Sequence, residues 1–237
     1  MFEKLEKRLI LKGTIETVTP LHIGSGKSEL DIEEADMPVI KDDQDKPYIP
    51  GSSLKGKARF EAERILRKEG YSVCNPPDVK SMCGSLVSDP SKFCLACRIF
   101  GTAGRVSVAS KVKFRDAYPV GKVEQLIQRS GIAIDRQTGA VSSRALYSVE
   151  AVPAGVAFSF EVVAENLTDD ELRILCAALR SVEHSAIGGA SSRGFGKVKI
   201  NIDTAVERSA KYYLGKENEK VYSGEDLKKW FAEKGCV

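Results

Sequence analysis

Histidine is nearly missing from this sequence, with His22 and His184 the only two in 237 residues. A histidine-rich metal centre is therefore excluded, and a ribonuclease working through a histidine pair would have to recruit both. No apolar run approaches the ~20 residues that a membrane-spanning helix requires. The opening MFEKLEKRLILKG lacks the continuous apolar stretch and small-residue cleavage site of a secretory leader, so a cytoplasmic location is expected. One-sided charge is absent too: a net +3 is too little on its own to announce a nucleic-acid partner.

What is there is an ordinary globular composition, 42% hydrophobic and 29% charged, which excludes wholesale disorder and allows a sizeable core. The charge is unevenly placed. Residues 27–45 hold eight acids (Glu29, Asp31, Glu33, Glu34, Asp36, Asp42, Asp43, Asp45) against Lys27 and Lys41. Residues 51–68 then carry Lys55, Lys57, Arg59, Arg64, Arg67 and Lys68 against Glu61 and Glu63. An acidic loop thus stands beside a basic helix, though each could be merely solvated.

Apolar periodicity orders the chain. Residues 7–18 read as a strand, and 38–50 as a hairpin around the polar turn DDQD. Ser52 or Ser53 can N-cap a helix with Leu54, Ala58, Ala62, Ile65 and Leu66 on one face, stopped at Gly70. A Cys-, Pro- and Ser-rich insertion follows over 72–100. Strands are expected at 106–116 and 156–163, the latter with Phe158, Phe160 and Val162 on one face. Thr168 and Glu171 form a capping box that starts a helix with Leu172, Leu175, Cys176, Leu179 and Val182 in one stripe. A glycine-rich turn, a strand from Val198 and a helix near 223–234 carrying Trp230 and Phe231 close the chain. The order β, α, β, β, α, β predicts an α+β fold of the ferredoxin-like plan, which RNA-recognition domains share.

Three motifs carry chemistry. Cys74, Cys83, Cys94 and Cys97 offer four thiolates within a short segment, suited to a structural Zn²⁺. Disulfides do not suit a chain without an export signal, and a redox CxxC normally opens a helix after a strand. Cys176 is expected in the core and Cys236 as a free thiol. GSSLKGKA (51–58) approaches a phosphate-binding loop, but Ala58 stands where a hydroxyl must bind Mg²⁺. What survives is a helix N-terminus with Lys55, Lys57 and Arg59, able to grip a phosphate. RGFGKV (193–198) resembles an RNA-stacking strand with Lys197 in place of its second aromatic, and reads as a glycine loop in which Arg193 contacts phosphate.

Read together, LHIGSG (21–26), EADMPVIKD (34–42), IPGSSLKGKAR (49–59), CLACRIFG (94–101), VKFRDA (112–117), IDRQTGA (134–140) and GGASSRGFGKV (188–198) resemble the RAMP superfamily. The likeness is to the repeated backbone subunit of type III CRISPR effector complexes. It implies a single domain over 1–237: a ferredoxin-like palm, a zinc-binding insertion at 72–100 and a thumb hairpin at 128–150. It also implies a guide CRISPR RNA, a target single-stranded RNA, further copies of the chain in a helical filament and other effector subunits as partners. By the same resemblance, Asp36 supports target-RNA cleavage with Mg²⁺ or another divalent cation. His22, Ser53, Lys55, Lys57 and Arg59 match positions that hold guide RNA, Arg136 lies near the thumb's tip, and Arg193 is the RNA-binding residue of the glycine loop read above. Asp116 falls in a second acidic block of unassigned role. Two rival readings are a non-catalytic RNA-binding scaffold and a guide-processing endoribonuclease. The second usually has two such units and an active-site histidine.

Overall fold

The computed structural model describes residues 4–26 and 35–236. In chain order these form β1 (Lys7–Thr17), α1 (Gly51–Lys68), α2 (Cys83–Leu86), α3 (Leu95–Phe100), β2 (Val112–Phe114), β3 (Ile127–Ile134) and β4 (Val141–Ala151). Then come β5 (Ala157–Glu165), α4 (Asp169–His184), β6 (Val198–Ser209), α5 (Ala210–Tyr213), β7 (Lys220–Ser223) and α6 (Gly224–Glu233). The protein is a mixed α+β structure with antiparallel sheets.

The main sheet has the order β2-β5-β1-β6-β7, and every pairing in it is antiparallel. Alternation sorts its two faces. Leu9, Leu11 and Ile15 of β1 and Phe158, Phe160 and Val162 of β5 are buried in one core with Leu54, Ala58 and Ala62 of α1 and Leu172, Leu175 and Leu179 of α4. At Gly13 a bulge brings β6 so close that a Cβ would lie 1.9 Å from the Asn201 carbonyl oxygen. The opposite face carries a small strip of Ile10, Val163 and Val206. Around it are the pairs Arg8–Glu165 (2.7 Å), Lys113–Glu165 (3.0 Å), Lys12–Glu161 (3.6 Å) and Arg115–Glu161 (3.6 Å).

Local signals give the helix ends. Thr168 Oγ1 accepts the Glu171 N–H (3.2 Å) and Glu171 Oε2 accepts the Thr168 N–H (3.0 Å), closing the capping box. Glu171 Oε2 also takes the buried Lys111 ammonium at 2.6 Å. Gly70, at φ +81°, ends α1 with its N–H on the Arg67 carbonyl and that of Tyr71 on Leu66, a Schellman ending.

Other expectations need correcting. Neither Ser52 nor Ser53 caps α1; Pro50 holds that position, and the Gly51 N–H donates to Asp116 Oδ1 at 2.7 Å. Residues 38–50 make no regular hairpin but a turn with a single Lys41–Pro47 bridge. The strand expected at 106–116 shrinks to Val112–Phe114, because Ser110 turns its hydroxyl to the Ile99 and Val112 carbonyls. Cys176 packs against the main core as expected, half-buried, and lines two cavities together with Cys236. β7 had no sequence signal beyond four residues; it adds an edge beyond β6 on which α6 docks through Leu227 and Trp230.

Candidate functional site

β3 and β4 form a separate two-stranded hairpin over 127–151, with the turn around Asp135–Gly139 at its tip. Asp135 Oδ1 accepts the Gln137 and Thr138 N–H groups, so the tip is folded by its own side chain and leaves Arg136 exposed. The hairpin's base is where the candidate residues converge. Val149 and Ala151 pack with Phe195 from the glycine-rich block, and Arg129 lies 5.1 Å over the Phe195 ring.

Asp36 is fastened to that base. Its Oδ2 accepts both the backbone N–H (2.7 Å) and the hydroxyl (3.1 Å) of Ser148. The Asp36 N–H in turn donates to Ser148 Oγ (3.1 Å). The Ser148 N–H, and secondly its hydroxyl, hold this carboxyl below the usual carboxylate range, so it stays ionised at neutral pH. The next residues follow the hairpin backbone, with Met37 N–H on the Ser148 carbonyl and the Glu150 N–H on that of Met37. Glu150 then ties three segments. Its carboxylate accepts the Val39 N–H (2.8 Å) and pairs with Lys41 (3.4 Å), and its carbonyl meets His22 Nδ1 at 2.7 Å.

That last contact decides a tautomer. A carbonyl only accepts, so Nδ1 carries a proton, and in the neutral ring Nε2 is the acceptor. Nε2 stands between Gly24 and Gly189, where a Cβ would lie 3.3 and 3.7 Å from it. His22 itself is 6% exposed. The glycine-rich block wraps its backbone: the Gly189 N–H donates to the His22 carbonyl (2.8 Å), and a Cβ on Gly188 would lie 2.2 Å from that oxygen. His22, Gly24, Ser25, Gly26, Asp36, Met37 and Pro38 line one cavity of about 240 Å³. The expected acidic neighbours Glu29, Asp31, Glu33 and Glu34 lie outside the described residues. Lining the cavity, Asp36 is the sole carboxylate among the described residues.

The basic residues of α1 divide. Ser53 is exposed at the helix start. Lys55 has no acidic partner among the described residues, and burial, then Arg59, press its pKa below the usual ammonium range. Lys57 pairs with buried Glu61 at 2.9 Å. Arg59 points inward, donating to Glu63 Oε1 (2.8 Å), the Gly101 carbonyl (2.8 Å) and Cys97 Sγ (3.5 Å). Arg193 lies against the hairpin, hydrogen-bonded to the Tyr147 hydroxyl and 5.4 Å over its ring. The structure thus brings His22 and Asp36 together, and places Lys55, Lys57 and Arg59 on a separate helix.

A second centre lies under α1. The sulfurs of Cys74, Cys83, Cys94 and Cys97 all lie within 4.8 Å of one another. A tetrahedral site with metal–sulfur bonds of about 2.3 Å needs sulfurs about 3.8 Å apart. Cys74 and Cys94 are 3.8 Å apart, and Cys74 and Cys97 3.3 Å. The Cys94 N–H also points at Cys83 Sγ (3.4 Å), and Arg59 approaches Cys97. The donor set is compatible with a structural metal. The hydrogen bond from Cys97 holds the Cys94 thiol down at about 4, while burial pushes Cys83 up to about 11. Ser148, Glu150 and Tyr147 carry no sequence signal, since they alternate in an unremarkable strand.

The family model described as RAMP superfamily matches residues 14–199. The chain is 32% identical over 234 residues to the CRISPR system Cms endoribonuclease Csm3 of Methanocaldococcus jannaschii, covering 93% of this chain and 90% of that protein. It is 31% identical to the Csm3 of Methanothermobacter thermautotrophicus, covering 91% and 93%. Among solved structures, the Csm3–Csm4 subcomplex of the type III-A CRISPR-Cas interference complex aligns with a TM-score of 0.61 at 27% identity, over 99% of this chain and 98% of that one. No helix among the described residues is long and apolar enough to cross a membrane.

Proposed function

Because this chain belongs to the RAMP superfamily, we propose that it is a guide-RNA-binding backbone subunit of a type III CRISPR effector complex that cleaves complementary target RNA. The similarity to proteins named endoribonuclease Csm3 supports the activity, and the likeness to a Csm3–Csm4 subcomplex supports effector subunits as partners. The domain covers 1–237. Its palm is ferredoxin-like, supported by the strand order β2-β5-β1-β6, with 128–150 as a thumb and 72–100 as an insertion folded on Zn²⁺.

The observation that carries this reading is the lock between Asp36 and Ser148 at the root of the hairpin. A hairpin that wedges into a guide–target duplex unstacks a nucleotide at a cost of a few kcal/mol. Cleavage by the neighbouring 2′-hydroxyl then needs that oxygen, the phosphorus and the leaving oxygen in line. Asp36 sits at the wedge's base, so the displaced phosphate and the carboxylate are positioned by one element. A single carboxylate fits a divalent cation that keeps water and phosphate oxygens as its other ligands, and when bound such an ion neutralises phosphoryl charge. Lys55, without an acidic partner among the described residues and near the α1 N-terminus, grips guide phosphate, while His22 holds RNA through its Nε2 side.

Asp36→Ala in the assembled complex is expected to leave guide and target binding near wild type and to slow target cleavage by ~10²-fold or more. Wild type is expected to need a divalent ion and to give regularly spaced products, one per stacked copy. Equal cleavage rates for variant and wild type in a gel-based assay would reduce the chain to a non-catalytic scaffold.

A further inference from the structure

Cys176 and Cys236 belong to neither centre described above. Cys176 lies on α4, sixty positions before Cys236, which arrives by a chain reversal at the end of α6. Gly235, at φ +68°, donates its N–H to the Ala232 carbonyl (3.0 Å), and Cys236 donates to Phe231 (2.8 Å). That Schellman ending turns Cys236 back over α4. The turn is tied down: Arg173 Nε donates to the Lys234 carbonyl (3.0 Å), and Lys234 Nζ pairs with Asp169 (3.1 Å). The turn thereby brings Cys236 beside Cys176, and the two side chains share the walls of the same two cavities. Neither is sealed off, because both are half-buried and both line two open cavities of about 220 and 240 Å³ with Arg180.

The two sulfurs are unequal. The hydrogen bond from Cys176, and then the Arg173 guanidinium, hold the Cys236 thiol below its usual range, while donating that bond and burial push Cys176 up. The Arg173 guanidinium stands at the turn beside Cys236, donating to the Lys234 carbonyl and 3.0 Å from where a Gly235 Cβ would lie. A neighbouring cation favours a thiolate, so Cys236 is the nucleophile of the pair and Cys176 the resolving thiol.

We propose that Cys176 and Cys236 form an oxidisable dithiol that reduces a hydroperoxide and closes into a disulfide fastening α6 to α4. Cys236 Sγ attacks the terminal oxygen of ROOH; the O–O bond breaks, an S–O bond forms, and ROH leaves with the thiol's proton. Cys176 Sγ then attacks the sulfenic sulfur, forming S–S and breaking S–O, with water as the product. Two thiols give up two electrons and the peroxide accepts them. In a reducing compartment the bridge is transient, which makes it a sensor rather than a staple.

The test uses the full-length, metal-loaded chain, titrated with hydrogen peroxide, alkylated, and mapped by non-reducing peptide mass spectrometry. A peptide linking Cys176 to Cys236 is expected, reversible with dithiothreitol. Closing a loop of this length is expected to raise the thermal midpoint by about 5 °C or more. Cys176→Ser is expected to leave a dimedone-trappable sulfenic acid on Cys236, and Cys236→Ser to leave none on Cys176. No linked peptide at peroxide levels that oxidise the Cys74–Cys97 cluster, links only between chains, or Cys236 passing to a sulfinic acid unlinked would each overturn the proposal.

Discussion

A guanidinium has five N–H donors and no acceptor, so the groups it already serves decide what else it can bind. Arg59 serves Glu63, the Gly101 carbonyl and Cys97 Sγ, which turns it toward the thiolates and away from solvent. Four cysteinates would leave a bound dication with an excess of negative charge, and Arg59, 3.5 Å from Cys97 Sγ, is placed to offset it. Arg59→Met is therefore expected to weaken metal affinity by about 10- to 100-fold in a chromogenic chelator competition, the scale of losing an outer partner of a metal ligand. Guide retention falling equally with Arg59→Lys at unchanged metal affinity would instead return Arg59 to the RNA. Sequence spacing could place this arginine on α1 but not choose between its neighbours, because Cys97 stands 38 positions away. Asp36 has the same history. Among eight acids in 27–45, charge singles out none; a resemblance in its motif points to Asp36, and the hydrogen bonds from Ser148, 112 positions on, give it its place.

At the scale of elements, what was legible was local. The Thr168–Glu171 box and the Gly70 ending each involve residues a few positions apart, and both stand as their spacing indicates. The start of α1 could not be read that way, since its capping acceptor is Asp116, 65 positions downstream. Asp116 is thus the side chain that joins the end of β2 to the first turn of α1, and the helix carrying Lys55 is aimed from there. Asp116→Ala is expected to cost about 1 kcal/mol in denaturant unfolding, as for the loss of an N-terminal cap, with Asp116→Asn recovering most of it. Lys111 is a heavier tie: its ammonium is buried against Glu171, whose carboxylate also closes the capping box. Lys111→Ala leaves Glu171 only the longer Arg98 contact at 3.7 Å and is expected to cost about 3 kcal/mol by the same measurement, the low end for breaking a buried pair. β-branched residues fill the loop before Val112 as readily as they fill a sheet, so the pattern over 106–116 exceeds the three-residue strand it contains.

For the whole molecule, β1, β5 and β6 and the two helices packed on them followed from periodicity, whereas the edge strands' extent, the hairpin's separateness and the clasp of the glycine block around His22 arise from tertiary contact. The insertion has a small cluster of its own in Cys83, Phe93 and Cys97, and joins the main core only at its end, through Ile99 and Phe100. Stripping metal with a strong chelator is expected to open 72–100 to protease while far-UV circular dichroism of the remainder changes little. A final consequence concerns heat and acid. The sheet face away from the helices is laced with carboxylate–cation contacts instead of being covered, and desolvating such ions costs less as temperature rises. Burial alone would raise the Glu165 pKa, but the hydrogen bonds from Lys113 and Arg8 prevail and lower it. Its contribution is therefore full above the ordinary carboxylate value and fades as pH falls through the lowered one. Thermal midpoints should accordingly drop with added salt near neutrality and lose that sensitivity in strong acid, so this face acts as a lattice whose strength grows toward the hot end of the protein's range.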